Sequence, residues 1–187
     1  MEKNTKTNGR VDVKKITTMG MLAGIGMVLV AFIEIPIFPA APFLKYDPAD
    51  IPILIGTMIY GPAAGFVLTV IVSFVQSFMI HGSGGWIGFV MHVVSTGAMA
   101  VALGLLYNKS KKDMKGALVS LAVGAIVMVV TMIGMNLVLT PIFMGTPVDV
   151  VINMLVPVII PFNIIKAGIN CFFAFVLHKY VRMLIIK

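Results

Sequence analysis

Long apolar runs separated by short polar or proline-rich stretches dominate this chain of 187 residues. A helix needs about 20 apolar residues to cross the roughly 30 Å hydrocarbon core of a bilayer. The pattern predicts six apolar segments, at about residues 16–35, 51–60, 63–80, 86–107, 117–140 and 159–180. The second segment would rise only about 15 Å. We therefore expect it either to begin near Pro48 or to form a partial helix buried against its neighbours.

The composition supports a membrane protein over the whole of residues 1–187, as a single domain. Apolar residues make up 59% of the chain, charged residues make up 11%, and the mean hydropathy is +1.06. A soluble domain is roughly 45–50% apolar and about 25% charged. A soluble domain of this length could not bury so much apolar surface. The composition therefore excludes an ordinary soluble enzyme, a disordered chain and a disulfide scaffold.

The positive charges fix a predicted orientation in the membrane. Twelve of the 14 Lys and Arg residues lie before the first segment, between the fourth and fifth, or at the end of the sixth. Six crossings place these three clusters on one side, and the positive-inside rule makes that side the cytoplasm. We expect a multi-pass cell-membrane protein with both termini cytoplasmic and a cytoplasmic tail over residues 1–15. Because topology accounts for the basic charge, we expect no nucleic-acid partner.

The first outer loop, residues 36–50, is predicted to be a folded lid over the outer end of the bundle. Its prolines exclude a long helix, whereas its apolar side chains are too numerous for a solvated loop. Asp47 and Asp50 follow in the sequence DPAD. The simplest interpretation is that these acids only cap the next helix, with Asp47 as the N-cap and Pro48 as its first residue.

Two other outer connections are predicted. Residues 141–157 form an outer loop with a short helix, whose start at Thr146 would place Asp149 at the third helical position. Residues 81–85, HGSGG, form a tight turn between the third and fourth segments. This turn does not match a phosphate-binding glycine pattern.

Lys166 is the most informative single residue, because an ionisable group inside a membrane helix is costly and usually functional. Asn163 and Asn170 share its helical face. Asn136, on the antiparallel fifth segment, is expected at a depth similar to Asn163. Amides and an ammonium at one level suit a planar heterocycle with alternating carbonyl and N–H groups. Alternatively, Lys166 extends to the membrane surface and the asparagines bridge helices.

Catalytic motifs are missing from the sequence. No phosphate-binding G-x-x-x-x-G-K-[ST] loop, H-E-x-x-H motif or cysteine pair occurs. The three histidines lie in different places along the chain, and His92 is predicted to be a packed, hydrogen-bonded residue. We therefore expect a protein that is not an enzyme.

Two segments resemble a known family. Residues 43–52 (FLKYDPADIP) resemble the first-loop motif of the riboflavin-specific substrate-binding (S) component of energy-coupling-factor (ECF) vitamin transporters. Residues 160–168 (IPFNIIKAG) resemble the last-helix motif of the same family. The resemblance extends over essentially the whole chain. It implies an all-α membrane protein, a six-transmembrane-helix bundle with a short second helix and a folded proline-rich outer loop.

The resemblance also implies a function and a site. Riboflavin would be the transported ligand rather than a cofactor, and it would bind on the outer side under the first loop. The motif-matched residues would contact the isoalloxazine ring or close over it; they are Asn136, Asn163, Lys166, Leu44, Lys45 and Tyr46. The other partners implied are membrane lipid, a transmembrane T component and two cytoplasmic ATPase subunits.

The first helix departs from the family pattern. The family often carries A-x-x-x-A there for docking to the T component, but Met27 follows Ala23 at that spacing. Gly20 and Gly24 form a small-xxx-small pair instead, which also permits close helix approach. We assign docking to Gly20, Ala23 and Gly24; packing within the bundle is the alternative.

Two other functions remain open. The chain could be an S component for another vitamin or precursor, or a membrane scaffold protein that transports nothing. A scaffold is expected to have a mobile lid and a cavity that is absent or filled by side chains.

Overall fold

The structure is a computed structural model that describes residues 13–39, 41–80 and 84–185. The predicted tail up to residue 12 and the turn at residues 81–83 lie outside the described residues. In the described part the α-helices are α1 (Val13–Phe32), α2 (Asp50–Tyr60), α3 (Pro62–Val75), α4 (Gly85–Lys109), α5 (Met114–Met144), α6 (Val148–Met154) and α7 (Ile160–Ile185). Single π-helical turns follow α3 (Gln76–Ile80) and precede α7 (Leu155–Ile159).

The helices form a multi-pass membrane bundle, which confirms the predicted fold class. Among the described residues, five helical units are long and apolar enough to cross a bilayer. The short helix α2 has 11 residues, and its residues from Asp50 to Met58 are all buried. It packs against α1, α3, α4 and α7. This is the partial helix that the sequence predicted, whereas the count of six crossings stays a prediction.

Close backbone approach holds α2, α3 and α4 together. Gly61 ends α2 at a φ of 89°, and Pro62 begins α3 with the backbone angle that the first helical position needs. Gly104 of α4 lies directly against Pro62. The turn that links α2 to α3 is therefore packed onto α4 with no room for a side chain at residue 104.

The Gly104→Ala variant is expected to be destabilised by about 1–3 kcal/mol relative to wild type. An added Cβ would lie 2.7 Å from the backbone N and Cα of Pro62, so the two helices would have to separate. Thermal unfolding in detergent measures the effect. Gly134→Ala in α5 is the matched control, because no neighbouring atom lies within 4 Å of its Cβ position. Equal unfolding temperatures for the two variants would contradict this packing account.

The lid is folded, as predicted, and it begins with a short ladder that the sequence did not predict. Strand β1 (Ile35–Pro36) pairs antiparallel with β2 (Lys45–Tyr46). The Lys45 Nζ and Glu34 Oε2 atoms lie 3.1 Å apart beside this ladder. The ring of Phe43 packs 6.1 Å from that of Phe143 on α5. The lid is thus fastened at its two ends and rests on α5.

The second connection differs from its prediction in two respects. Helix α5 continues through Pro141 to Met144, so residues 141–144 are helical and belong to no loop. The short helix α6 is present, but its N-cap is Pro147 with no side-chain cap. Asp149 is therefore the second helical residue, and the predicted start at Thr146 is wrong. Gly145 ends α5 in the left-handed conformation that favours glycine.

Candidate ligand-binding site

A cavity of about 450 Å³ lies between the lid and the adjacent ends of α3, α4, α5 and α7. Ligand sites typically enclose roughly 300–1,000 Å³. Its wall is mainly apolar, and the apolar side chains include Phe43, Met91, Met132, Phe143 and Phe162. Polar and charged side chains from the lid and the surrounding helices interrupt this wall, so the cavity suits a largely apolar ligand with a polar edge.

Lys166 is the buried cation of this cavity. Its side chain projects from α7, only 4% of the residue is exposed, and its Nζ donates to Asp47 Oδ2 at 2.8 Å. The alternative in which Lys166 extends to the membrane surface is therefore wrong. Buried charges are stable only when they are paired and hydrogen-bonded, and the pair meets that condition.

Asp47 connects the lid to two neighbouring elements through one carboxylate oxygen. Its Oδ2 accepts from Lys166 on α7 and from Gln76 Nε2, 3.3 Å away, on the turn after α3. Its Oδ1 accepts from the Ala49 backbone N–H at 3.2 Å. Burial is the strongest single influence and opposes the ionised form, but the Lys166 ammonium, His92 and the hydrogen bonds to Lys166 and Ala49 together lower the pKa of the Asp47 carboxyl. The lid is therefore anchored at Asp47 by a carboxylate.

Asp50 is the second buried acid, at the first residue of α2. Its two carboxyl oxygens accept from Thr96 Oγ1 at 3.1 Å and from Asn170 Nδ2 at 3.0 Å. His92 Nε2 lies 3.4 Å from Asp50 Oδ1, while His92 Nδ1 pairs with Ser73 Oγ at 2.8 Å. The interpretation that both acids only cap α2 is therefore wrong, since Asp50 joins α2 to α4 and α7. The prediction of a packed, hydrogen-bonded His92 is confirmed.

Four of the six predicted ligand residues line the cavity: Asn136, Lys166, Leu44 and Lys45. Asn136 is 1% exposed; its Nδ2 donates to the Met132 carbonyl and its Oδ1 accepts from Thr140 Oγ1, each at 2.8 Å. The structure thus brings Asn136 and Lys166, from two different helices, to one apolar cavity beneath the lid.

The other two predicted ligand residues, Asn163 and Tyr46, do not line the cavity, although each adjoins a lining residue along the chain. The Asn163 Nδ2 donates to the Ile159 carbonyl at 2.8 Å, and its buried Oδ1 has no hydrogen-bond partner among the described residues. Tyr46 is buried, and its hydroxyl donates to Asn170 Oδ1 at 3.0 Å. Tyr46 therefore ties the lid to α7 through this hydrogen bond.

Asp47 and Gln76 are among the polar residues of the cavity that sequence reasoning missed. Asp47 was interpreted only as a cap, although a buried lysine requires an acidic partner and the nearby lid supplied two candidates. Gln76 was not singled out, although it is an amide in an otherwise apolar segment. Both residues line the cavity with Lys166.

The three predicted docking residues lie on different faces of α1. Ala23 is 6% exposed and belongs to the core of the bundle. Gly20 and Gly24 have no neighbouring atom within 4 Å of their Cβ positions, so they form a flat open strip on the outside of α1. The structure therefore separates Ala23 from the surface that a partner helix could reach.

Comparisons with known proteins agree with this architecture. The family model described as "ECF transporter, substrate-specific component" matches residues 14–178. The Riboflavin transporter FmnP of Bacillus subtilis (strain 168) is 33% identical over 164 residues, which cover 82% of this chain and 84% of FmnP. The Riboflavin transporter RibU of Staphylococcus aureus (strain TCH60) is 30% identical over 170 residues, covering 88% and 87%.

A solved structure has the same fold. It is described as the S component of a bacterial ECF transporter and aligns with a TM-score of 0.78 at 26% identity, over 93% of this chain and 98% of that chain. These relatives are transporter components, so the prediction that the chain is not an enzyme is confirmed. The chain belongs to the family of substrate-specific components of ECF transporters.

Proposed function

We propose that this protein captures riboflavin in the cavity beneath the lid and delivers it to an ATP-driven importer. The observation that carries the proposal is the convergence of Asn136 and Lys166 in an apolar cavity of about 450 Å³. Riboflavin is a planar tricyclic ring whose pyrimidine edge alternates carbonyl and N–H groups. The relatives with matching sequence, FmnP and RibU, are described as riboflavin transporters.

The chemistry of the wall suits the two parts of such a ring. Phe43, Phe143 and Phe162 provide aromatic and apolar surface for the ring faces. Lys166 and Asn136 provide donors and an acceptor for its polar edge. The Asn163 Oδ1, which has no hydrogen-bond partner among the described residues, is a further acceptor that we place beside this edge. A ligand that left these groups unpaired would lose about 1–3 kcal/mol for each one, which favours flavins over other planar molecules.

Import requires energy that this chain does not supply, because its sequence has no phosphate-binding loop. Because the chain belongs to the ECF family, we expect separate T and ATPase subunits to supply this energy. The specific assembly in this proposal has a transmembrane T component that docks on the Gly20 and Gly24 strip of α1, with two cytoplasmic ATPase subunits. Both termini lie in the cytoplasm in this arrangement, and the lid faces outward.

Purified protein, stripped of ligand, is expected to quench riboflavin fluorescence in a titration that saturates at one flavin per chain. Ring stacking on aromatic side chains and exclusion of water account for the quenching. Thiamine and biotin, added in tenfold excess, are the competitors and should not restore the fluorescence. Binding of another vitamin instead of riboflavin would favour a different S component. The absence of binding by any of them would favour a scaffold protein.

A further inference from the structure

Gln76 is a polar residue of the cavity to which the proposed function gives no role. It lies on the π-helical turn Gln76–Ile80 at the end of α3, within hydrogen-bond distance of the lid residue Asp47. Single π-helical turns are rare and are often found at functional sites, because they redirect side chains. Its side chain lines the same cavity as Lys166 and Asp47.

The surroundings of Gln76 fix the orientation of its amide. Nε2 donates to Asp47 Oδ2 at 3.3 Å, an oxygen that also accepts from Lys166 Nζ. An ionised carboxylate accepts hydrogen bonds and donates none, so the Gln76 NH₂ group, not its carbonyl, must face Asp47. The Gln76 Oε1 is buried and has no hydrogen-bond partner among the described residues. Buried acceptors are rarely left unpaired, because the loss of hydration is not compensated.

We propose that Gln76 is a specificity-determining residue whose carbonyl oxygen accepts a hydrogen bond from a ring N–H of the bound ligand. The inference rests on the proposed function, since oxidised riboflavin has a single ring N–H, at N3, with a carbonyl on each side. Lys166 donates to a neighbouring ring carbonyl in this arrangement. Asp47 holds both side chains through one oxygen, so the donor and the acceptor are fixed at a set spacing.

A hydrogen bond from N3–H to Gln76 has a consequence that riboflavin binding in the cavity does not have by itself. A ligand methylated at N3 has no hydrogen to donate, and its methyl group meets the Gln76 carbonyl. Wild-type protein should therefore bind 3-methylriboflavin about 10- to 100-fold more weakly than riboflavin. The Gln76→Ala variant removes both the acceptor and the bulk. Its ratio of the two dissociation constants should fall to within about threefold of one.

The experiment is a fluorescence titration of wild type, Gln76→Ala and Asn163→Ala with riboflavin and with 3-methylriboflavin. Asn163→Ala is the matched control, because Asn163 also holds a buried amide oxygen that has no hydrogen-bond partner among the described residues. That variant should bind both flavins more weakly but keep the wild-type ratio. Thermal unfolding of each variant shows that it is folded.

Two results would overturn the role of Gln76 while leaving riboflavin capture intact. One is equal affinity of the wild-type protein for the two flavins. This result does not depend on whether any variant folds. The other is a folded Gln76→Ala variant that keeps the wild-type ratio. Wild-type protein that binds no riboflavin would instead contradict the proposed function, and the role of Gln76 with it.

Discussion

The Lys166→Met variant is expected to bind riboflavin about 10- to 100-fold more weakly than wild type and to unfold at a lower temperature. Methionine keeps the length of the side chain but cannot donate to a flavin carbonyl, and a hydrogen bond from a charged donor contributes about 1.5–3 kcal/mol. The same change leaves the Asp47 carboxylate buried without its ammonium partner. Breaking a buried pair in this way costs about 3–5 kcal/mol of stability.

The double variant Lys166→Met with Asp47→Asn separates the two effects. Removing both charges eliminates the unpaired carboxylate, so most of the thermal stability should return. Riboflavin binding should stay weak, because the donor is still missing. Riboflavin titration and thermal unfolding in the same detergent measure the two quantities. A single Lys166→Met variant with wild-type affinity and wild-type unfolding temperature would contradict both the site and the ion pair.

The Asp50→Ala variant is expected to be destabilised by several kcal/mol, the largest effect on folding that the structure predicts for an acidic residue. Asp50 is fully buried and receives hydrogen bonds from Thr96 and Asn170, with His92 beside it. Alanine leaves these polar groups unpaired at the junction of α2, α4 and α7. Each buried group that loses its partner costs about 1–3 kcal/mol.

Thermal unfolding followed by the fluorescence of Trp86, the one tryptophan of the chain, measures this loss. Asp149→Ala is the matched control, because Asp149 is an exposed acid on α6. The control should unfold close to wild type, since exposed substitutions usually change stability by less than about 0.5 kcal/mol. Similar unfolding temperatures for Asp50→Ala and Asp149→Ala would show that the buried network does not hold the three helices together.

The long helices of the bundle could be predicted from the sequence because crossing a membrane imposes a long, uninterrupted apolar run on each of them. The lid could be inferred as well, since a run of prolines with apolar side chains excludes both a helix and a solvated loop. The end of α5 could not, because a proline in a membrane helix is tolerated where neighbouring groups satisfy the freed backbone carbonyl. Strands β1 and β2 have only two residues each, which is too few to show the alternation of apolar and polar residues that identifies a strand.

The site was only partly predictable for a related reason. Lys166 could be found because a charge within an apolar run has a cost that must be offset. Its partner Asp47 is 119 positions away in the sequence, and no local pattern encodes such a contact. The depth of Asn136 could be inferred from helix geometry. Whether Asn163 faces the cavity depends on helix rotation, which the spacing of three polar residues does not fix.

A crystal structure of the protein saturated with riboflavin would locate the ligand and its hydrogen bonds. We expect one flavin beneath the lid, with its ring between apolar side chains and its pyrimidine edge within hydrogen-bond distance of Asn136 and Lys166. A flavin bound outside this cavity, or a flavin inside it whose polar edge faces away from Lys166, would contradict the account.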